Sequence, residues 1–208
     1  KRNPLRPEGL RHVARMLAEN KTLEILDLNN TATFDAGAAA LFAGMSHNTS
    51  LRLLYLDANN LGVASAQTMA DYFTALVAQK RVGITSLWVG MNPLYDEGVI
   101  ALARALKDYH ALERLCLNAV RMTADGLQVL CEALVDHPKL LMLDVGCYKS
   151  AADLHEVTNN LGFKGAFLLA EFIRKNKSVR ILDLRTCHLA AEGLAMIADA
   201  AETNTTLC

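Results

Sequence analysis

The stretch "LRLLYLDAN", residues 51–59, decides the fold, because the chain writes it six times with variations. The other versions are "LEILDLNNT", "ITSLWVGMN", "LERLCLNAV", "LLMLDVGCY" and "VRILDLRTC", starting at residues 23, 84, 112, 140 and 179. Each is apolar at its first, fourth and sixth positions, as in Leu51, Leu54 and Leu56. Three of the five intervals between starts are 28 residues, and the other two are longer by 5 and 11. Self-similarity at a fixed period of this length is the signature of a stacked repeat, one supersecondary unit per period.

Between these segments a second pattern recurs. Six residues after the ninth position of each unit stands a small residue, giving the column Gly37, Ser65, Gly98, Gly126, Gly165 and Gly193, with Gly9 in a partial unit over residues 1–22. Apolar or small residues follow at one, four, five and eight positions further on, such as Leu127, Leu130, Cys131 and Leu134, which is the spacing of one helical face. Asn20, Asn48, His137, Asn176 and Asn204 stand three residues before the next segment. Asparagine there is expected to close the helix in a left-handed conformation. His47, His110 and His137 are expected to rest on the negative ends of helix dipoles rather than to serve catalysis.

Each unit is therefore a strand, a turn and a helix, and strands joined through helices lie parallel in one sheet. Strands are spaced about 4.8 Å apart and packed helices about 8–10 Å, so the stack bends with strands inside and helices outside. The expectation is an α/β curved solenoid: one domain over residues 1–208, with full repeats starting at 23, 51, 84, 112, 140 and 179 and an insertion at 148–158. At "NNLGFKGAFLLAEFIRKNKSVRILDL", residues 159–184, the chain resembles the leucine-rich repeat family, in its ribonuclease-inhibitor-like subclass of 28-residue units. The resemblance implies a ninth-position Asn or Cys that bonds the backbone of adjacent turns. Asn3, Asn59, Asn92 and Cys187 fit this, Asn159 restores it after the insertion, and Thr31 and Val120 depart from it. Val120 has no donor, so a loosened or hydrated turn is expected there. No polar cap is visible at either end, which leads to the expectation of a piece of a longer protein or of end-to-end self-association.

Composition narrows the partners. Lys plus Arg number 21 against 22 Asp plus Glu, with no basic run, so neither nucleic acid nor an anionic membrane is an expected partner. No apolar run approaches the roughly 20 residues that cross a bilayer. Five cysteines without paired spacing suit reduced thiols, and a cytoplasmic location is expected, a host cytosol included if the source is a bacterial effector. No phosphate loop, GxSxG, HExxH or dinucleotide fingerprint occurs, so no enzyme activity and no cofactor are expected. Cys147, His155, Cys187 and His188 could approach one another, but tight ligand spacings are absent and no metal site is expected.

In such strands positions three, five and seven face the concave side. The fifth positions read Asp27, Tyr55, Trp88, Cys116, Asp144 and Asp183, so the only tryptophan in the chain is expected to face the hollow beside Tyr55, with no helix to cover it. Aromatic anchors ringed by charge have the make-up of an interface hot spot. The expected protein-binding residues are Tyr55, Asp57, Trp88, Met91, Arg114, Asp144, Asp183 and Arg185, with Tyr148, Lys149, Asp153 and His155 joining from a rim loop. Aromatic stacking that merely stabilises the sheet is the plainer alternative, at roughly 0.5–1.5 kcal/mol per pair. The leading function is a non-catalytic module that recognises a protein or peptide across the strand face. One alternative is a GTPase regulator similar to the Ran GTPase activator, using Arg121 or Arg185, and another is a structural or oligomerisation element.

Overall fold

The computed structural model describes residues 2–147 and 157–208. Six three-residue strands form one parallel sheet in sequence order: β1 Ile25–Asp27, β2 Leu53–Tyr55, β3 Ser86–Trp88, β4 Arg114–Cys116, β5 Met142–Asp144 and β6 Ile181–Asp183. Their register follows the repeat: Ile25, Leu53, Ser86, Arg114, Met142 and Ile181 stand side by side. Seven helices among the described residues alternate with them: α1 Arg6–Glu19, α2 Phe34–Met45, α3 Val63–Ala78, α4 Tyr95–Leu106, α5 Ala124–Leu134, α6 Gly162–Lys175 and α7 Ala191–Thr203. The sheet is open, and the narrower strand spacing against the wider helix spacing curves it into an α/β solenoid. The five extra residues of the second interval fall within and just after α3, which runs 16 residues against 12 in α2 and α4.

The fourth and sixth strand positions make the core. Leu54, Leu87, Leu115 and Leu143, with Leu56, Val89, Leu117 and Val145, are fully buried and meet Leu41, Phe73, Leu102 and Leu130 from the helices. The small column is explained by crowding between neighbouring helices. A Cβ on Gly98 would stand 2.9 Å from the methyl of Ala66, and one on Gly126 would stand 2.5 Å from Oδ1 of Asp96.

Three ladders of side-chain hydrogen bonds tie unit to unit. In the first, Asn92 is 1% exposed; its Nδ2 donates to the carbonyls of Leu56 and Val89, and its Oδ1 accepts from the N–H groups of Asn59 and Leu61. Asn59 and Asn159 repeat the pattern. The Cys187 thiol donates to Val145 O of the preceding unit at 3.2 Å, whereas the Thr31 hydroxyl bonds Leu28 O within its own unit. Val120 is fully buried rather than loosened. Its N–H donates to Oδ1 of Asn159, the same rung that the N–H of Asn59 makes to Asn92, while the valine side chain contributes burial in place of hydrogen bonds.

The second ladder corrects the expectation for the helix ends. Asn20, Asn176 and Asn204 are extended, with ψ of 134°, 139° and 132°, not left-handed. Their Oδ1 atoms accept from the N–H groups two and three residues on, and the Nδ2 of Asn48, Asn176 and Asn204 reaches back to carbonyls of the preceding helix end. An asparagine that holds four backbone groups in this way has no need of αL. His137 takes the same role: its Nε2 bonds Tyr109 O at 3.0 Å, and its Nδ1 accepts from Leu140 and Lys139. That fixes a neutral tautomer with the proton on Nε2, and burial lowers its pKa. The dipole reading expected for His137 therefore gives way to a neutral ladder histidine.

The third ladder was not foreseen. Oδ1 of Asp96, in the first turn of α4, accepts from the N–H groups of Thr123 and Gly126 at the start of α5, and Oδ2 accepts from the Thr123 hydroxyl. Asp35 does the same for Gly62 and Ser65 ahead of α3. Each carboxylate thus caps the next repeat's helix, satisfying donors that a helix start leaves open.

Candidate protein-binding face

The strand face away from the helices carries the third, fifth and seventh positions, and it is most aromatic at its centre. Tyr55 and Trp88 are paired in register across β2 and β3, with ring centroids 5.4 Å apart and planes tilted by 42°. Both are partly buried. Trp88 therefore stands where the spacing puts it, but it is less open than expected, since its Nε1 is shielded from solvent and makes no hydrogen bond.

Gly90, two residues after Trp88, is the reason the next strand can bring an amide so close. A Cβ at Gly90 would collide with the side chain of Asn118, which lies across it. Asn118 is 2% exposed; its Nδ2 donates to Sγ of Cys116 at 3.0 Å, while its Oδ1 has no partner. Sγ of Cys116 in turn donates to Oδ2 of Asp144 at 3.2 Å, and Oδ1 of Asp144 accepts from Gly146 N. On the other side of Gly90, its N–H donates to Oδ1 of Asp57 at 2.8 Å. The centre of the face is thus a polar floor of Asp57, Asn118, Cys116 and Asp144 beside the two rings.

This floor is more enclosed than the sequence implied, with Asp57 at 8% exposure and Asp144 at 1%. Burial raises the Asp57 carboxyl to about 6, and the charges of Asp144 and Asp27 push it the same way against the Gly90 hydrogen bond. Burial likewise raises Asp144, and it lifts the Cys116 thiol far above its ordinary value, with Asp144 and Asp57 adding to the effect. A thiol held so firmly protonated is no nucleophile.

The remaining expected residues divide. Arg114 is exposed, 3.9 Å from Glu113. Arg185 forks onto Asp183, its Nε 3.0 Å from both carboxylate oxygens. Burial works to raise the Asp183 pKa, but the arginine prevails and holds it low. Met91 does not belong to the strand face. It is the eighth residue of its unit, at φ 54° in the turn, and its side chain packs on Ala119 and Cys147. Tyr148, Lys149, Asp153 and His155 lie outside the described residues. Of the possible zinc ligands, His155 is among these; Cys187 is spent on Val145 O, and Nε2 of His188 lies 3.0 Å from the Thr158 hydroxyl.

Among the described residues no helix is long and apolar enough to cross a membrane. A family model described as "Leucine Rich repeat" matches residues 175–198. The chain is 29% identical over 188 residues to human "NACHT, LRR and PYD domains-containing protein 14", an alignment covering 89% of this chain and 16% of the relative. It is 29% identical over 181 residues to mouse "Ribonuclease inhibitor", covering 86% of this chain and 36% of that one. It therefore spans about a sixth of the first of these relatives and about a third of the second. Among solved structures, the tropomodulin C-terminal domain of Caenorhabditis elegans superposes with a TM-score of 0.53 at 12% identity, over 95% of this chain and 92% of that one, a likeness of fold alone. With its six strand-turn-helix units and these matches, the chain is similar to leucine-rich repeat proteins of the ribonuclease-inhibitor-like type.

Proposed function

We propose that the chain is a protein-recognition module, non-catalytic in itself, that binds a protein or peptide across the strand face with Trp88 and Tyr55 as its anchors. The observation that carries this reading is the aromatic pair at the centre of an open sheet face, with Arg114, Asp144, Asp183 and Arg185 on neighbouring strands of that face. Large rings flanked by charge, on a scaffold whose units are locked by buried ladders, supply anchor and specificity together. One relative is by name an inhibitor of a ribonuclease, that is, a protein that engages another protein. The regulator alternative draws less support. Nη1 of Arg121 is bonded to the Tyr95 hydroxyl at 2.9 Å, with its guanidinium 5.6 Å from that ring, and Arg185 is committed to Asp183.

The test is affinity capture with the unmodified chain, Trp88→Ala and Tyr55→Ala, alongside far-ultraviolet circular dichroism. Loss of the captured partner by about a hundredfold, as for a ~2–3 kcal/mol hot spot, with unchanged helicity is the expected result. Equal capture by all three proteins overturns the reading.

A further inference from the structure

Asn118 and the carboxylates beside it leave an acceptor without a donor at the centre of the face. Oδ1 of Asn118 is buried and unpartnered, and the floor around it consists otherwise of the carboxylates Asp57 and Asp144 and the Cys116 thiol. An acceptor left bare under burial is costly, and only a donor repairs it. Charge points the same way. On the third, fifth and seventh positions of the six strands, Asp27, Asp57, Asp144 and Asp183 oppose Arg114 and Arg185, and Arg185 is taken up by Asp183. Asp57 is also held protonated to unusually high pH by burial and by its acidic neighbours, a strain that an incoming cation would relieve.

We propose that the face recognises an arginine side chain of its partner, whose guanidinium settles beside the Tyr55–Trp88 pair and donates to Asp57 and to Oδ1 of Asn118. This rests on the recognition reading above and names the chemistry of the partner. Guanidinium suits the site better than ammonium because its five donors lie in a planar fork, matching acceptors spread over adjacent strands, and because its face stacks on an aromatic ring. Tyr55 and Trp88 supply such rings. Asp57, the most open of the four floor residues at 8% exposure against 1% for Asp144, 1% for Cys116 and 2% for Asn118, is the point of entry.

The only tryptophan in the chain reports on the event directly. Titration of the whole chain with a tri-arginine peptide should give a saturable change in Trp88 emission that weakens with salt, and a tri-citrulline peptide, equal in shape but uncharged, should give none. Asp57→Asn should weaken the arginine response about tenfold or more, the loss of one charge-assisted bond. Asp71→Asn, at an exposed position of α3 outside the strand face, should leave it within about twofold. Equal responses to the arginine and citrulline peptides, no response to either, or a response untouched by Asp57→Asn would each overturn the proposal. Its failure is distinguishable from that of the recognition reading: a partner lost by Trp88→Ala but held equally by Asp57→Asn and Asp144→Asn leaves protein recognition standing and removes the arginine.

Discussion

Trp88 and Asp57 show how a repeat position acquires a property that its letter does not disclose. The indole occupies the fifth position, where other units carry aspartate, tyrosine or cysteine, and it faces the open side of the sheet as the alternation requires. Its nitrogen is nevertheless shielded from solvent and makes no hydrogen bond. Asp57 is perturbed by burial. Since folding raises its pKa from the ordinary carboxylate value to about 6, the native state binds this proton more tightly than the unfolded chain does. Its contribution to stability is fullest below about pH 4 and declines as pH rises toward 6. Asp57→Asn should therefore gain on the unmodified chain between about pH 4.5 and about pH 7.5, by up to about 3 kcal/mol for a shift of about two pH units. Urea denaturation at the two pH values checks this, and a pH-independent difference would show that the carboxyl titrates normally.

At the scale of the element, the units are held by ladders in which chemically different residues fill one role. Asn48, His137 and Asn176 each accept from the next two free N–H groups and donate back to the preceding helix end. Histidine performs this only when neutral, and its lowered pKa follows from burial. The stabilisation it gives is present above its unfolded pKa near 6.5 and is lost as pH falls below that value, since the unfolded chain then binds a proton that the native state resists. His137→Asn should keep the ladder, staying within about 1 kcal/mol of the unmodified chain at pH near 7.5 and exceeding it at pH near 5. His137→Ala should lose about 1–3 kcal/mol at either pH by leaving buried backbone groups bare. Thermal melts of both variants at the two pH values decide it. Conversely, Val120 lacks a side-chain amide yet is fully buried, so the stack stays closed there with only the backbone rung to Asn159.

At the scale of the whole molecule, each unit touches only its neighbours, so stability is a sum of units and their interfaces. A central unit has two such interfaces and an outer one fewer, and burial shows it: Leu115 of β4 is fully buried, whereas Leu26 of β1 and Leu182 of β6 are only partly so. Leu115→Ala should cost about 3–4 kcal/mol, and the same change at Leu26 about half as much. Chemical denaturation of the two variants gives the comparison. Equal costs would mean that the solenoid unfolds without regard to position. The aromatic pair and the floor lie in β2 to β5, so the proposed recognition site sits on the most firmly held part of the molecule.

The sequence by itself determined the architecture, because a strand-turn-helix unit repeated at near-constant spacing leaves one way to bury its leucines: the parallel register of Leu26, Leu54, Leu87, Leu115, Leu143 and Leu182. It also put Tyr55 beside Trp88, since position within a unit dictates which way a strand residue points. What it could not convey was how much of the face remains open. The sequence leads one to expect Met91 on the face and Asn20 in a left-handed helix end, whereas the turn geometry and backbone groups of neighbouring units give Met91 an apolar contact and Asn20 an extended cap. The enclosed floor of Asp57, Cys116, Asn118 and Asp144 belongs to three strands at once, brought together across the bare backbone of Gly90. Only tertiary structure decided it, for desolvation and the pairing of polar atoms depend on neighbours that are about thirty residues away along the chain and adjacent in space.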